Sequence, residues 1–397
     1  MRIGQLTEVY KPVINGVTNF ISLHKRALES WDHKVFVFTL GHEDYEDDEL
    51  YVIRSPAIPL SDTGYHLSFR FSRRARKKIK TMDVLHVHHP FISGRQAISL
   101  GKRYDIPVVF TNHTRYHVQA RHYVPFVPEE FSRVFLEAYL PHFTDQCDLV
   151  VVPSQGIERV LRELGVTCPV EVIPNGVDVA QFRSPPAPLS KRALGLPDHA
   201  VMAVTVGRLG LEKNLSFLLR AFARVAADAP DLHLVFIGRG PEEKRLREMA
   251  HWLGLDPRVH LVGEVPYEEM PNWLKPADFF AFSSVSESHP LAVLEALAAG
   301  LPVLAIPCPG VKDTIEDGVN GLLSSENVGV FAAQMRRLAT EPDLRVRLAA
   351  GVRETSEQYD IHRTSATLLA HYERLVEERA RRRARGSDIE CKRESQS

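Results

Sequence analysis

Val201-Met202-Ala203-Val204-Thr205-Val206-Gly207-Arg208-Leu209-Gly210-Leu211-Glu212-Lys213-Asn214 is the stretch that decides the fold. Its first six residues are apolar or β-branched and read as a buried parallel strand. Glycine then opens a turn that leads into a helical pattern. Strand, glycine turn and helix make the first half of a βαβ unit. The same short runs recur on both sides. Upstream stand Val35–Thr39, Val84–His88, Pro107–Thr111 and Leu149–Pro153. Downstream stand Leu232–Ile237, Val259–Val262, Phe279–Phe282 and Val303–Ile306. Strands alternating with helices predict an α/β chain with right-handed crossovers and doubly wound sheets. Such sheets take ligands beyond the carboxyl ends of their strands. His88, Asn112-His113, Gly207-Arg208, Gly238 and Ser283-Ser284 stand at those ends.

A chain of 397 residues exceeds one ordinary core, so two domains are expected. The proline cluster Ser184-Pro185-Pro186-Ala187-Pro188 separates the two strand series and suits a linker. The expected division is 1–183, 184–360, a helix over 361–385 and a disordered polar tail over 386–397. Leu368, Leu369, Tyr372 and Leu375 fall at helical spacing in that helix. Net charge is −1, which gives no global field for nucleic acid. The four cysteines form no CxxC pair, so neither a disulfide nor zinc is expected and a reducing cytoplasm fits. Met1–Leu6 is too short an apolar run for a signal peptide, and no stretch nears the ~20 apolar residues of a membrane span.

The chemistry concentrates in Glu287-Ser288-His289-Pro290-Leu291-Ala292-Val293-Leu294-Glu295. Pro290 suits the first turn of a helix, Ser288 or His289 can cap it, and Gly300-Leu301-Pro302 ends it. A helix N-terminus is an anion site. Two carboxylates beside a phosphate are repelled by it, so they suit sugar and ribose hydroxyls on the same ligand. A solvent-facing helix with two glutamates is the plain alternative.

This Glu-x7-Glu element resembles the donor-site signature of the retaining, nucleotide-sugar-dependent glycosyltransferases of the glycogen-synthase-like family 4. Gly207–Asn214, Gly238-Arg239-Gly240-Pro241 and Ile173-Pro174-Asn175-Gly176-Val177-Asp178 extend the resemblance, which runs from Arg2 to about Glu378. It implies the GT-B fold, two facing Rossmann-like domains with a deep cleft, and a last helix that crosses back onto the first domain. It gives Arg208 and Lys213 to the donor diphosphate, where they do the work of a metal. It gives Glu295 to the ribose and Glu287 to the sugar or the phosphate-proximal region. Gly207, Gly238, Gly240 and Leu291 join the donor site. In the first domain, Asn15 and Gly16 meet the diphosphate and His113 points at the sugar. No cofactor is implied. Many members carry glycine where this chain has Pro290, which lacks the backbone N–H that a glycine would offer there. No carboxylate nucleophile is evident, and the family is discussed as front-side transfer, resting on positioning and electrostatics. His86 and His88 lie on one strand face, a spacing open to metal ligation as well as to structural use.

Ser68–Lys80 is the main charge anomaly. Phe71, Ala75 and Ile79 form an apolar stripe, while Arg70, Arg73, Arg74, Arg76, Lys77, Lys78 and Lys80 fill the other positions. A basic amphipathic helix can bind an anionic membrane surface; it can equally be a surface helix packed on its sheet. His89-Pro90-Phe91-Ile92-Ser93-Gly94, His113-Thr114-Arg115-Tyr116 and His122-Tyr123-Val124-Pro125 resemble the diacylglycerol glucosyltransferases. The expectation is hexose transfer from a nucleotide diphosphate sugar, preferably UDP-glucose, to a lipid hydroxyl on the inner face of the cell membrane. GDP-mannose as donor, a soluble acceptor, and a non-catalytic nucleotide-sugar or nucleic-acid binder are the rivals.

Overall fold

The computed structural model describes residues 1–59, 66–68, 70–113 and 129–394. Phe69, Thr114–His117 and His122–Pro125 lie outside them. Two compact units emerge: 1–174 with 362–397, and 175–361.

The first unit is built on a parallel sheet. Its strands are β1 (Arg2–Leu6), β2 (Lys34–Leu40), β3 (Val52–Ser55), and, after the small pair β4 (Ile58–Pro59) and β5 (His66–Leu67), β6 (Val84–Val87), β7 (Val108–Thr111), β8 (Leu149–Val152) and β9 (Val170–Val172). The order is β3-β2-β1-β6-β7-β8-β9. Side chains alternate between its two faces. Leu85, Val87, Phe110, Val150 and Val152 build one core. Ile3, Val35, Val84, Val109 and Val151 build the other, with Leu368, Tyr372 and Leu375 of the last helix. That helix belongs to the first unit because its apolar stripe completes this layer. It runs Ile361–Glu394, past the expected end at Arg385 and through the segment expected to be disordered. Gly386 alone costs a helix about 1 kcal/mol and, unlike proline, does not break its hydrogen bonding.

The second unit repeats the plan with β10 (Val201–Val206), β11 (Leu232–Ile237), β12 (Val259–Gly263), β13 (Phe279–Phe282), β14 (Val303–Ala305) and β15 (Gly321–Leu323). Its order is β12-β11-β10-β13-β14-β15, again all parallel. Leu232, Leu234 and Phe236 face one core, and Val235 and Ile237 the other. The chain passes between the units at Pro174/Asn175, ahead of the expected linker. Val177, Val179 and Phe182 are already buried in the second unit's core. The proline cluster is tied down there too: Ala187 N donates to Asn272 Oδ1 and Leu189 N to the Asn272 carbonyl.

Candidate active site

The order of the second sheet reverses between β10 and β13. At such a switch point the loops leaving two strands part and open a crevice. Gly207, Arg208 and Lys213 follow β10, and Ser283, Ser284 and Glu287 follow β13. Gly207, Arg208, Lys213, Phe282, Ser283 and Ser284 line one cavity. Ser283 Oγ donates to the Lys213 carbonyl at 2.8 Å. Ser284 Oγ lies 3.0 Å from the Glu212 carbonyl and 3.1 Å from Glu287 Oε1, so its one proton serves one of them at a time.

Two ion pairs occupy the crevice. Lys213 Nζ donates to Glu287 Oε1 at 2.5 Å. Burial alone would push the Glu287 carboxyl up, but the Lys213 ammonium and the Ser284 hydroxyl hold it below the usual range. Burial likewise works against charge on Lys213, and Glu287 outweighs it. Both groups are therefore ionised at neutral pH. Arg208 Nη2 donates to Glu212 Oε1 at 2.9 Å with its side chain 59% exposed. Such an exposed pair contributes only about 0.3–0.5 kcal/mol, so the guanidinium is available to a stronger anion. Two cations balanced by two carboxylates can take up a diphosphate on the former and hydroxyl groups on the latter.

The glycines next to these cations have a packing reason. Gly207 and Gly238 hold φ of 140° and 135°, and a Cβ on Gly238 would lie 2.0 Å from the Gly207 carbonyl oxygen. The two loops are zipped by Leu209 N donating to the Arg239 carbonyl and Glu242 N to the Leu209 carbonyl. Gly238 and Gly240 thus let loop lie against loop, whatever else they meet.

The helix after β13 spans Leu291–Ala298. Its N-cap is Pro290, with no side-chain cap, so the expected capping by Ser288 or His289 does not occur and proline sits one position earlier than read. The Pro290 carbonyl accepts from Val293 N and Leu294 N. Among the described residues the N–H groups of Leu291 and Ala292 have no acceptor. The Leu291 side chain is packed in the core, so only its backbone faces a ligand. Glu295 is buried one turn on. Burial pushes its carboxyl up to about 7, and no hydrogen bond to it occurs among the described residues.

In the first unit the order reverses between β1 and β6. The helix Gly16–Glu29 starts there. Asn15 Oδ1 accepts from Val17 N and Thr18 N, and Thr18 Oγ1 accepts from Asn15 N, a complete capping box. The Asn15 side chain is thereby committed to its own helix. Gly16 N–H has no acceptor among the described residues, and a Cβ on Gly16 would meet nothing within 4 Å. The helix Ile92–Tyr104, by contrast, is already filled: Glu8 Oε1 accepts from Ile92 N at 2.8 Å and Ser93 N at 3.2 Å.

His113 follows β7 inside a cluster of imidazoles. Its Nε2 lies 2.9 Å from His88 Nδ1, and His88 Nε2 lies 2.6 Å from Gln5 Oε1. His86 reaches Thr111 Oγ1 through Nε2 at 2.6 Å and the Tyr372 hydroxyl through Nδ1 at 2.5 Å. Burial pushes His113 down to about 3 and His86 and His88 well below their ordinary value. All three are neutral at pH 7. Both nitrogens of His86 and of His88 are engaged by protein groups, so this strand pair offers no free lone pair to a cation. No group of three or more metal-binding side chains occurs among the described residues.

The family model for glycosyl transferases group 1 matches residues 187–355, and that for glycosyltransferase family 4 matches 14–181. The chain is 31% identical over 357 residues to an alpha-monoglucosyldiacylglycerol synthase of Streptococcus pneumoniae, covering 87% of this chain and 80% of that one. The chain belongs to glycosyltransferase family 4. A D-inositol 3-phosphate glycosyltransferase of Kribbella flavida is 29% identical over 306 residues, 74% of this chain and 72% of that one. The structure of Anabaena Alr3699/HepE in complex with UDP and glucose superposes with a TM-score of 0.76 at 18% identity, covering 94% of this chain and 99% of that chain. Together with the two parallel sheets, that places the fold among GT-B glycosyltransferases.

Within this glycosyltransferase, the residues read from sequence separate into groups. Gly207, Arg208, Lys213 and Glu287 converge at the second switch point. Asn15, Gly16 and His113 stand at the first. Gln5, Glu8 and Glu212 carry parts of the site that motif reading gave no role, while His88, read at a strand end and as open to metal ligation, and Asn175, quoted only within a family motif, take structural roles here. Asn175 Nδ2 donates to the His289 carbonyl and so holds the entrance of the Leu291–Ala298 helix. Of the basic segment, Phe71, Ala75 and Ile79 are fully buried, and only Arg73–Ile79 is helical. Arg70, Arg73, Arg74, Lys77 and Lys80 are exposed. Arg76 and Lys78 are half-buried, and the Lys78 ammonium lies 4.4 Å over the Phe36 ring. No helix among the described residues is long and apolar enough to cross a membrane.

Proposed function

We propose that the enzyme moves glucose from UDP-glucose to the hydroxyl of a diacylglycerol-type lipid, with retention and without a metal, at an anionic membrane surface inside the cell. The observation that carries the donor half is the pairing of Arg208 and Lys213 in one crevice beside the uncapped helix Leu291–Ala298. Both cations are held by carboxylates that a diphosphate would displace. Arg208 forks onto the diphosphate, Lys213 adds a point charge, and the N–H groups of Leu291 and Ala292 complete the anion site. As the leaving group gains charge, these groups stabilise it without reorganising. Glu295 takes the ribose hydroxyls and Glu287 the sugar side. Gly16 N–H is given to the donor phosphate and His113 to a sugar hydroxyl. With no carboxylate nucleophile assigned, the departing phosphate oxygen takes the acceptor proton on the face it leaves.

The acceptor half is supported by the name of the pneumococcal relative and by the exposed Arg70, Arg73, Arg74, Lys77 and Lys80. A screen of UDP-glucose, UDP-galactose and GDP-mannose against diacylglycerol vesicles and inositol phosphate, read by product mass, tests both halves. Glucosyl-diacylglycerol is the expected product. Transfer only to inositol phosphate would replace the lipid acceptor, and a mannosylated product would replace the donor.

A further inference from the structure

The cluster behind His113 fixes more than its position. Gln5 lies on β1 and His88 directly after the neighbouring strand β6, and both are fully buried. A neutral imidazole carries one proton, and the nitrogen that holds it is set by the partner of the other nitrogen. His88 Nε2 lies 2.6 Å from Gln5 Oε1. That distance is tight for N–H···O and shorter than two nitrogens would take, so the amide oxygen, an acceptor only, faces the ring. His88 Nε2 must therefore donate. Its Nδ1 is then a bare lone pair, and His113 Nε2 at 2.9 Å donates to it. One proton on Nε2 leaves Nδ1 of His113 unprotonated. Phe20 packs edge-on at 4.7 Å between ring centroids and holds the ring in this plane.

We infer that Gln5 and His88 are positioning residues that lock His113 in the Nε2–H tautomer, so that its Nδ1 lone pair accepts a hydrogen bond from a hydroxyl of the donor sugar. The inference rests on the assignment of His113 to that sugar. Reversing the Gln5 amide would reverse every donor in the chain, and His113 would then present an N–H to the hydroxyl oxygen. The cost of holding the amide this way is visible in the structure, since among the described residues Gln5 Nε2 is buried without a hydrogen-bond partner. A buried donor left unpaired is uncommon, and here it accompanies a defined direction in the chain.

The test is a long-range proton–nitrogen NMR correlation on the full-length protein labelled with 15N-histidine. His113 signals are assigned by their loss in His113→Asn. The expected wild-type pattern is a protonated Nε2 and an unprotonated Nδ1 for His113. Gln5→Met removes the acceptor. It should give mixed tautomers and lower kcat by about 10-fold, the smaller end of what outer partners of a working imidazole contribute. KM for UDP-glucose should move less than about 2-fold. Gln5→Glu offers only acceptors, and should keep the wild-type tautomer and most of kcat. A wild-type spectrum with the proton on Nδ1 overturns the inference, as does a Gln5→Met variant with an unmixed tautomer and normal kcat. The wild-type spectrum needs no variant to fold. If it matches expectation while His113→Ala turns over normally, the tautomer lock stands and the assignment of His113 to the sugar is lost.

Discussion

Replacing Lys213 with alanine changes two charges at once. The ammonium proposed to face the leaving diphosphate goes. Losing one preorganised group aimed at developing negative charge costs about 2–4 kcal/mol, which is about 30-fold to about 900-fold in turnover. Glu287 is meanwhile left without the partner 2.5 Å away that holds its carboxyl down. The side chains of Lys213 and Glu287 are 25% and 19% exposed, so water reaches both and the stranded carboxylate does not incur the full penalty of a buried charge. It still repels the phosphate beside it. Adding Glu287→Gln to Lys213→Ala removes that repulsion and also removes the contact with the sugar proposed for the carboxylate. The two substitutions should therefore combine far below additivity, with a coupling of about 1–3 kcal/mol, and the double variant should be no slower than Lys213→Ala alone. Arg208→Ala removes an exposed group paired, among the described residues, only with Glu212, and should cost kcat without the second effect. The assay is initial rate at saturating UDP-glucose with diacylglycerol in vesicles, scored by product mass. Turnover of Lys213→Ala within about 3-fold of wild type would sink the clamp. Full additivity with Glu287→Gln would sink the pairing.

Burial raises the Glu295 carboxyl from 4.5 to about 7. The folded state thus binds the proton more tightly than the unfolded one, and stability falls as pH rises between about 4.5 and 7, by up to about 3 kcal/mol. Thermal melts of Glu295→Gln should match wild type near pH 5 and lie above it at pH 8, whereas parallel melting curves at both would refute the raised value. With Glu295 as the proposed ribose acceptor, UDP-glucose affinity should weaken below pH 7 as its carboxylate protonates, measured by titration calorimetry in wild type against Glu295→Gln. Turnover should survive EDTA if Arg208 and Lys213 clamp the diphosphate as proposed; loss of rate restored by one divalent ion would show the two cations to be insufficient. Changing exposed Arg73, Arg74, Lys77 and Lys80 to glutamine should release the protein from anionic vesicles, at about 1 kcal/mol per charge. Lys78 is left in place because it covers the Phe36 ring, and sedimentation with vesicles equal to wild type would point to another membrane contact.

What sequence reading reached and missed follows from how each feature is encoded. The central strands were legible because both faces of a parallel sheet are buried, and Val201–Val206 and Leu232–Ile237 match β10 and β11 end to end. The strands it passed over lie at sheet edges or are a few residues long. β3 carries Arg54, β9 carries Glu171, and β15 starts on Gly321, so none shows an unbroken apolar run. The domain boundary was misplaced because prolines mark extended backbone, not the last residue a core claims. Phe182 decides the latter, and only its burial reveals it. The same holds at the site. Arg208, Lys213 and Glu287 could be named from motifs, since each is a charge in a loop directly after a strand, the first two beside Gly207 and Gly210 and the third just before Pro290. Gln5 could not, and His88, though it stands out at a strand end, could not be given its partner. Gln5 is one polar residue in an apolar strand, and His88 is Gln5's partner at a separation of 83 residues. Their pairing depends on β1 lying beside β6, a fact of topology that no local pattern contains. The groups proposed to touch a ligand are thus written in short motifs, while the groups packed behind them are written in the order of the strands.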